Sequence, residues 1–217
     1  MIKACIFDLD GVLVDTAKYH FRAWRRLANE LGFDFTEKEN EQLKGVGRMQ
    51  SLDLILQWGG VVKSVEEKQQ LAAMKNEWYI GYIAGMTPGE VLDGVPAFLD
   101  ELKAKGVKIA LGSASKNARA ILRQAGLTHY FGAMIDGNKT TKGKPDPQVF
   151  QLGAEALGVA PAEAIVFEDA QKGIEAALAG GFWAIGIGAQ EDLKEAHAVI
   201  PGFKGYDFEK ILMLLRR

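Results

Sequence analysis

Residues Ala4-Cys5-Ile6-Phe7 run without interruption into Asp8-Leu9-Asp10-Gly11. A run that is apolar on both faces reads as a strand covered on both sides. A carboxylate at the end of such a strand is costly unless it is paired or bound to a cation. Asp8 and Asp10 therefore call for a metal ion, a proton-transfer role, or both. Three more short apolar runs follow, at Lys108–Gly112, 164–167 and Trp183–Ile187. Helical patterns fill most of the gaps between them. Alternating strands and helices predict an α/β fold with a mainly parallel sheet covered on both faces.

The helices carry apolar stripes at the expected period. Residues 95–105 turn Phe98, Leu99 and Leu102 inward, and residues 208–217, ending at Arg217, align Phe208, Ile211, Leu212 and Leu215. Residues 15–92 differ, since only helical pattern is found there. Trp24, Leu27, Ala28 and Leu31 fall at the spacing of one helix face. Further helices are expected over 50–58 and Val65–Ile83. The turn-rich stretch Gly85-Met86-Thr87-Pro88-Gly89 then leads back to the sheet. The expected division is a sheet-bearing core of residues 1–14 and 93–217, with an all-helical insertion at 15–92.

Bulk properties narrow the function. The 217 residues are 48% hydrophobic and 25% charged, enough for an ordinary core, and the net charge of -2 gives no pull toward nucleic acid. The lone Cys5 lies inside the first strand and reads as core. No apolar run approaches the ~18 residues of a membrane span, and Asp8 and Asp10 interrupt any apolar leader. The expectation is a cytoplasmic monomer with a small-molecule partner and neither nucleic acid nor membrane.

Ligands of a parallel sheet gather beyond the carboxyl ends of its strands. Asp8 and Asp10 end the first run, Ser113-Ala114-Ser115-Lys116 the second, and Glu168-Asp169 the third. Between the last two lies Lys142-Gly143-Lys144-Pro145. Asp8, Glu168 and Asp169 are hard oxygen donors of the kind Mg²⁺ takes alongside a phosphate. A carboxylate there can attack phosphorus and form an aspartyl-phosphate. Asp8, on the strand itself, suits the nucleophile, and Asp10, one step out, suits the acid/base that serves the ester oxygen. Ser113 and Lys144 can stabilise the phosphoryl group. Each piece also has an ordinary reading. Asp-Gly is a common turn, acids favour helix starts, and serines cap helices. Gly186-Ile187-Gly188 lacks the dinucleotide fingerprint. Trp24, Trp58 and Trp78 read as packing, and His129 and His197 as surface groups.

The ordered stretches "DLDGVLVDT", "ALGSAS", "KGKPDP" and "VFEDA" resemble the four motifs of the haloacid dehalogenase-like superfamily. The resemblance implies a Rossmann-like core with a mobile cap and an Asp8 nucleophile with Asp10 as acid/base. It also implies Mg²⁺ held by Asp8, Asp169 and the Asp10 carbonyl, with Glu168 close by, directly or through water. "AKYHFRAW", "NEQLKGVGRMQSLDLIL" and "SASKNA" are similar to the phosphoglucomutase branch of that superfamily, which interconverts β-D-glucose 1-phosphate and glucose 6-phosphate through a bisphosphate. By that likeness Thr16 and His20 couple the cap to Asp10. Lys44, Gly45, Val46, Gly47 and Arg48 form a substrate loop in which Arg48 grips the distal phosphate. Ser51 and Lys75 assist from the cap, and Ser113, Ala114, Ser115, Lys116 and Asn117 contact phosphate and sugar from the core. Gly47 departs from the branch, which has serine there. A sugar-phosphate phosphatase is the alternative. A non-catalytic binding protein is a third reading, which the intact Asp8, Asp10, Ser113, Lys144 and Asp169 disfavour.

Overall fold

A computed structural model describes residues 1–216; Arg217, expected at the end of the last helix, lies outside the described residues. Six strands form one sheet: β1 (Ala4–Phe7), β2 (Lys108–Gly112), β3 (Ala133–Ile135), β4 (Ala164–Glu168), β5 (Trp183–Ile187) and β6 (Ala198–Ile200). Every pairing is parallel, in the order β3-β2-β1-β4-β5-β6. The four expected strands are present. β3 and β6 were not legible, because three-residue strands between polar turns leave no periodic run.

The central strand explains the two-sided cover. Side chains alternate across a sheet, so Cys5 and Phe7 enter one apolar layer and Ala4 and Ile6 the other. Helices α5 (Val95–Ala104), α6 (Ala118–Gln124) and α9 (Phe208–Leu214) cover the first layer. There the Phe7 and Phe167 rings stack at 4.9 Å and Phe98 meets Phe167 edge-on at 5.5 Å. Such pairs contribute about 0.5–1.5 kcal/mol beyond burial. Helices α7 (Gln148–Leu157) and α8 (Gln171–Ala179) cover the second layer.

Residues 15–92 carry α1 (Ala17–Glu30), α2 (Glu37–Glu41), α3 (Arg48–Trp58) and α4 (Val65–Ile83). α4 has the expected bounds, α3 begins two residues before its expected start, and α2 was not foreseen. Trp24, Leu27, Leu52, Ile55 and Ala72 form a third apolar cluster of their own. Two chain segments join these helices to the sheet, and they are tied together: Val14 bridges Val91, the Asp15 amide donates to the Glu90 carbonyl (3.0 Å) and the Leu92 amide to the Leu13 carbonyl (3.0 Å). Tyr79, Ile83 and Met86 of the helical part pack into the sheet's first layer. No helix among the described residues is long and apolar enough to cross a membrane.

Candidate active site

The sheet register builds the site. Phe7 pairs with Phe167, so the next residues, Asp8 and Glu168, lie side by side at the carboxyl edge. The Asp8 amide donates to the Phe167 carbonyl at 3.0 Å, which fixes the Asp8 backbone. On the other side Phe7 pairs with Leu111, which brings Ser113 to the same edge. Asp8, Glu168 and Asp169 offer one oxygen each, all within 4.8 Å of one another. A trio of carboxylates at that separation is stable only with compensating positive charge. The donor set is all hard oxygen and suits Mg²⁺. Gly11 allows this crowding: its φ is +78°, and a Cβ there would overlap the Asp169 carboxylate.

Lys144 supplies part of the compensation. Its Nζ donates to Asp8 Oδ1 and to Glu168 Oε2, both at 2.6 Å, and its side chain is 1% exposed. Burial opposes the lysine charge, but Asp8 and Glu168 outweigh it and hold the proton more tightly than usual. Burial raises the Glu168 carboxyl to about 7, with Lys144 pulling the other way. Asp169 is also pushed up, by burial first and by Glu168 and Asp8 next. Lys142, by contrast, is exposed and pairs with Asp146 at 3.2 Å.

Asp10 is half-buried and accepts a hydrogen bond from the hydroxyl of the fully buried Thr16. Burial and the neighbouring Asp8 raise the Asp10 carboxyl to about 6. A carboxyl poised there can both give and take a proton near neutrality. Ser113 is buried, and its Oγ accepts the Ser115 amide at 3.1 Å, which leaves the hydroxyl proton free to donate. The Asn117 amide donates in turn to Ser115 Oγ at 3.2 Å. Ala114 is half-buried and Lys116 exposed on the same loop.

The helical part brings its own set. Lys75 on α4 is 2% exposed, and its Nζ donates to His20 Nδ1 at 3.1 Å. The Trp24 and Tyr79 rings lie 4.2 and 4.8 Å from the same nitrogen. Burial and Arg48 lower Lys75 to about 7, against the pull of Asp10. His20 is held neutral, by burial first and then by Lys75 and Arg48. Arg48 is half-buried at the start of α3; burial lowers its pKa from the usual arginine range, with Tyr79 pulling the other way, and the guanidinium stays charged. Among the described residues neither Arg48 nor Lys75 has a carboxylate partner within salt-bridge distance. Gly47 precedes α3 without a side-chain cap, so the first amides of that helix keep their donors. Gly45 has φ +69° and sits where a Cβ would press on Ala170, which brings the loop against the sheet edge.

Other expected residues take supporting places. Lys44 pairs with Glu41 at 2.7 Å and, with Gly11, Asp169 and Asp192, lines a cleft of about 650 Å³. Ser51 Oγ donates to the Val46 carbonyl at 3.4 Å and so holds the loop. Two residues were missed in the sequence. Tyr79 is buried against His20 with an unpartnered hydroxyl, and Asn76 accepts from Asn117. Their nearness to Lys75 on one helix was the available signal.

A family model for haloacid dehalogenase-like hydrolases matches residues 2–181. The chain is 41% identical over 201 residues to the β-phosphoglucomutase of Bacillus subtilis, covering 92% of this chain and 89% of the relative. It is 31% identical over 201 residues to a phosphorylated carbohydrates phosphatase of Thermotoga maritima, covering 92% and 90%. The crystal structure of a β-phosphoglucomutase from Clostridium difficile superposes with a TM-score of 0.95 at 41% identity, covering 100% of this chain and 98% of that one.

Proposed function

The chain belongs to the haloacid dehalogenase-like hydrolase family, and from that membership we propose that it interconverts β-D-glucose 1-phosphate and glucose 6-phosphate. The observation that carries this reading is the pair of cations without carboxylate partners, Arg48 and Lys75, which the helical part contributes beside an acidic phosphotransfer edge. A phosphatase needs one phosphate site. A mutase must hold a second phosphate while the first is transferred, and it must hold the sugar either way round. A guanidinium suits the second site because it pairs bidentately with phosphate.

The residues divide the work. An Asp8 oxygen bonds to phosphorus as the bond from phosphorus to the sugar oxygen breaks, and that oxygen takes a proton from Asp10. In the reverse step a hydroxyl of the monophosphate attacks phospho-Asp8, Asp10 takes its proton, and β-glucose 1,6-bisphosphate forms. Donation from the other end of the bisphosphate regenerates phospho-Asp8 and releases the isomer. Lys144 holds Asp8 in place and offsets its charge, and Ser113 donates to a phosphoryl oxygen. Asp8, Asp169 and the Asp10 carbonyl, with Glu168 beside them, would hold Mg²⁺, which would neutralise phosphoryl oxygens as the anionic nucleophile approaches. Residues 15–92 act as the cap that shuts out water, and the segments at 14–16 and 88–95 act as its hinge.

The second reading, a sugar-phosphate phosphatase, is favoured by Gly47, which removes one hydroxyl contact, and by the phosphatase among the relatives. Arg48→Ala separates the two. Under the mutase reading it lowers isomerisation by about 100-fold, while Asp8 still accepts phosphate from a small acyl phosphate donor. Unchanged isomerisation would remove Arg48 from the account.

A further inference from the structure

The helical part and the sheet part meet through few polar contacts. Among the described residues, two side-chain hydrogen bonds cross from residues 15–92 to the rest. One is Thr16 to Asp10, which lies at the hinge itself. The other lies far along the chain from the hinge: Asn117 Nδ2 donates to Asn76 Oδ1 at 2.9 Å. Asn76 sits on α4 next to Lys75, and both Asn76 and Asn117 are half-buried.

The bond does not end at Asn117. The Asn117 amide donates to Ser115 Oγ at 3.2 Å, and the Ser115 amide donates to Ser113 Oγ at 3.1 Å. Asn76 is thus the outer end of a hydrogen-bonded chain that reaches Ser113, at the strand end beside Asp8. The other cap-to-core contacts, Gly45 against Ala170 and Tyr79, Ile83 and Met86 against the sheet's first layer, are apolar packing and offer no hydrogen-bond direction. The polar link therefore fixes where α4, with Lys75, stands relative to the phosphate loop. A hydrogen bond between half-buried groups is weak enough to break on each opening and specific enough to define one closed arrangement.

We propose that Asn76 is a positioning residue which, through Asn117, latches the cap over the phosphate loop and so sets how often phospho-Asp8 is attacked by water rather than by a sugar hydroxyl. The inference rests on the mutase reading, because the partition has two arms only if a sugar acceptor competes. Water attack needs no positioned acceptor, whereas sugar attack needs the cap seated. Loss of the latch therefore raises hydrolysis relative to isomerisation. Asn76→Asp retains an acceptor oxygen for the Asn117 side-chain amide.

The test uses the full chain with Mg²⁺, β-glucose 1-phosphate and a trace of the 1,6-bisphosphate, with isomer and inorganic phosphate counted together by phosphorus NMR. In Asn76→Ala the phosphate released per isomerisation rises by about tenfold, and Asn76→Asp returns it toward the parent value. Small-angle scattering with Mg²⁺ and inorganic phosphate accompanies it, and Asn76→Ala gives a larger radius of gyration than the parent. An unchanged product ratio in Asn76→Ala, or an unchanged radius, overturns the proposal. Should that variant fail to fold, Asn76→Ser, whose side chain is too short to reach Asn117, is measured in the same two ways. If the parent itself yields phosphate alone, the mutase reading fails, and the scattering comparison alone decides the latch.

Discussion

Lys75 Nζ stands 3.1 Å from His20 Nδ1, a buried ammonium whose hydrogen-bond partner is a neutral ring rather than a carboxylate. Burial and the nearby Arg48 lower its pKa to about 7. A dianionic phosphate brought beside it would reverse both effects. The sign follows: above pH 7 the ligand-free lysine is largely neutral, the bound form is charged, and binding takes up a proton. At pH 8, calorimetric titration with glucose 6-phosphate in buffers of different ionisation enthalpy should show uptake approaching one proton. At pH 6, where the free lysine is already charged, this uptake vanishes, and Lys75→Met loses the uptake seen at pH 8. Uptake at pH 8 that survives in Lys75→Met would assign the proton elsewhere.

Removing Lys144 leaves Asp8 and Glu168 buried without their shared cation. Breaking a buried pair from one side typically costs about 3–5 kcal/mol. Urea denaturation of Lys144→Met without metal should show a loss of that order. Lys144→Arg should not recover it, because a side chain 1% exposed has no space for the larger fork. Added Mg²⁺ should restore part of the loss by supplying another cation to the same carboxylates.

Gly11 tests the metal-site reading at the backbone. Its positive φ disfavours alanine, and the added Cβ would meet the Asp169 carboxylate. Gly11→Ala should weaken Mg²⁺ binding by about 10- to 100-fold, as displaced metal-site supports generally do. The change is read by calorimetric Mg²⁺ titration of parent and variant. Equal affinities would mean that Asp169 does not hold the ion.

Much of the fold could be read from the chain because central strands such as β1 are apolar on both faces and end in chemistry. β3 and β6 escaped because three residues carry no period. α2 escaped for a related reason: its five residues are mostly charged, and its start is marked by a capping box from Thr36 to Glu39 rather than by an apolar face. At the site, Asp8, Asp10, Glu168 and Asp169 were visible as acids at strand ends, and the superfamily likeness pointed to Lys144. What sequence could not give was pairing across the chain. Nothing in the order of residues says that Asn76 meets Asn117, or that Tyr79 shelters His20 with its own hydroxyl unpartnered. Such contacts depend on how α4 docks, which is a tertiary fact.

The most direct test of the central claim is a phosphorus NMR time course of the parent protein with Mg²⁺, β-glucose 1-phosphate and a trace of β-glucose 1,6-bisphosphate. The account predicts that the signal moves to glucose 6-phosphate with little inorganic phosphate, since Asp8 passes its phosphate between sugars under a closed cap. Accumulation of inorganic phosphate as the main product would contradict it and leave a sugar-phosphate phosphatase built on the same acidic edge.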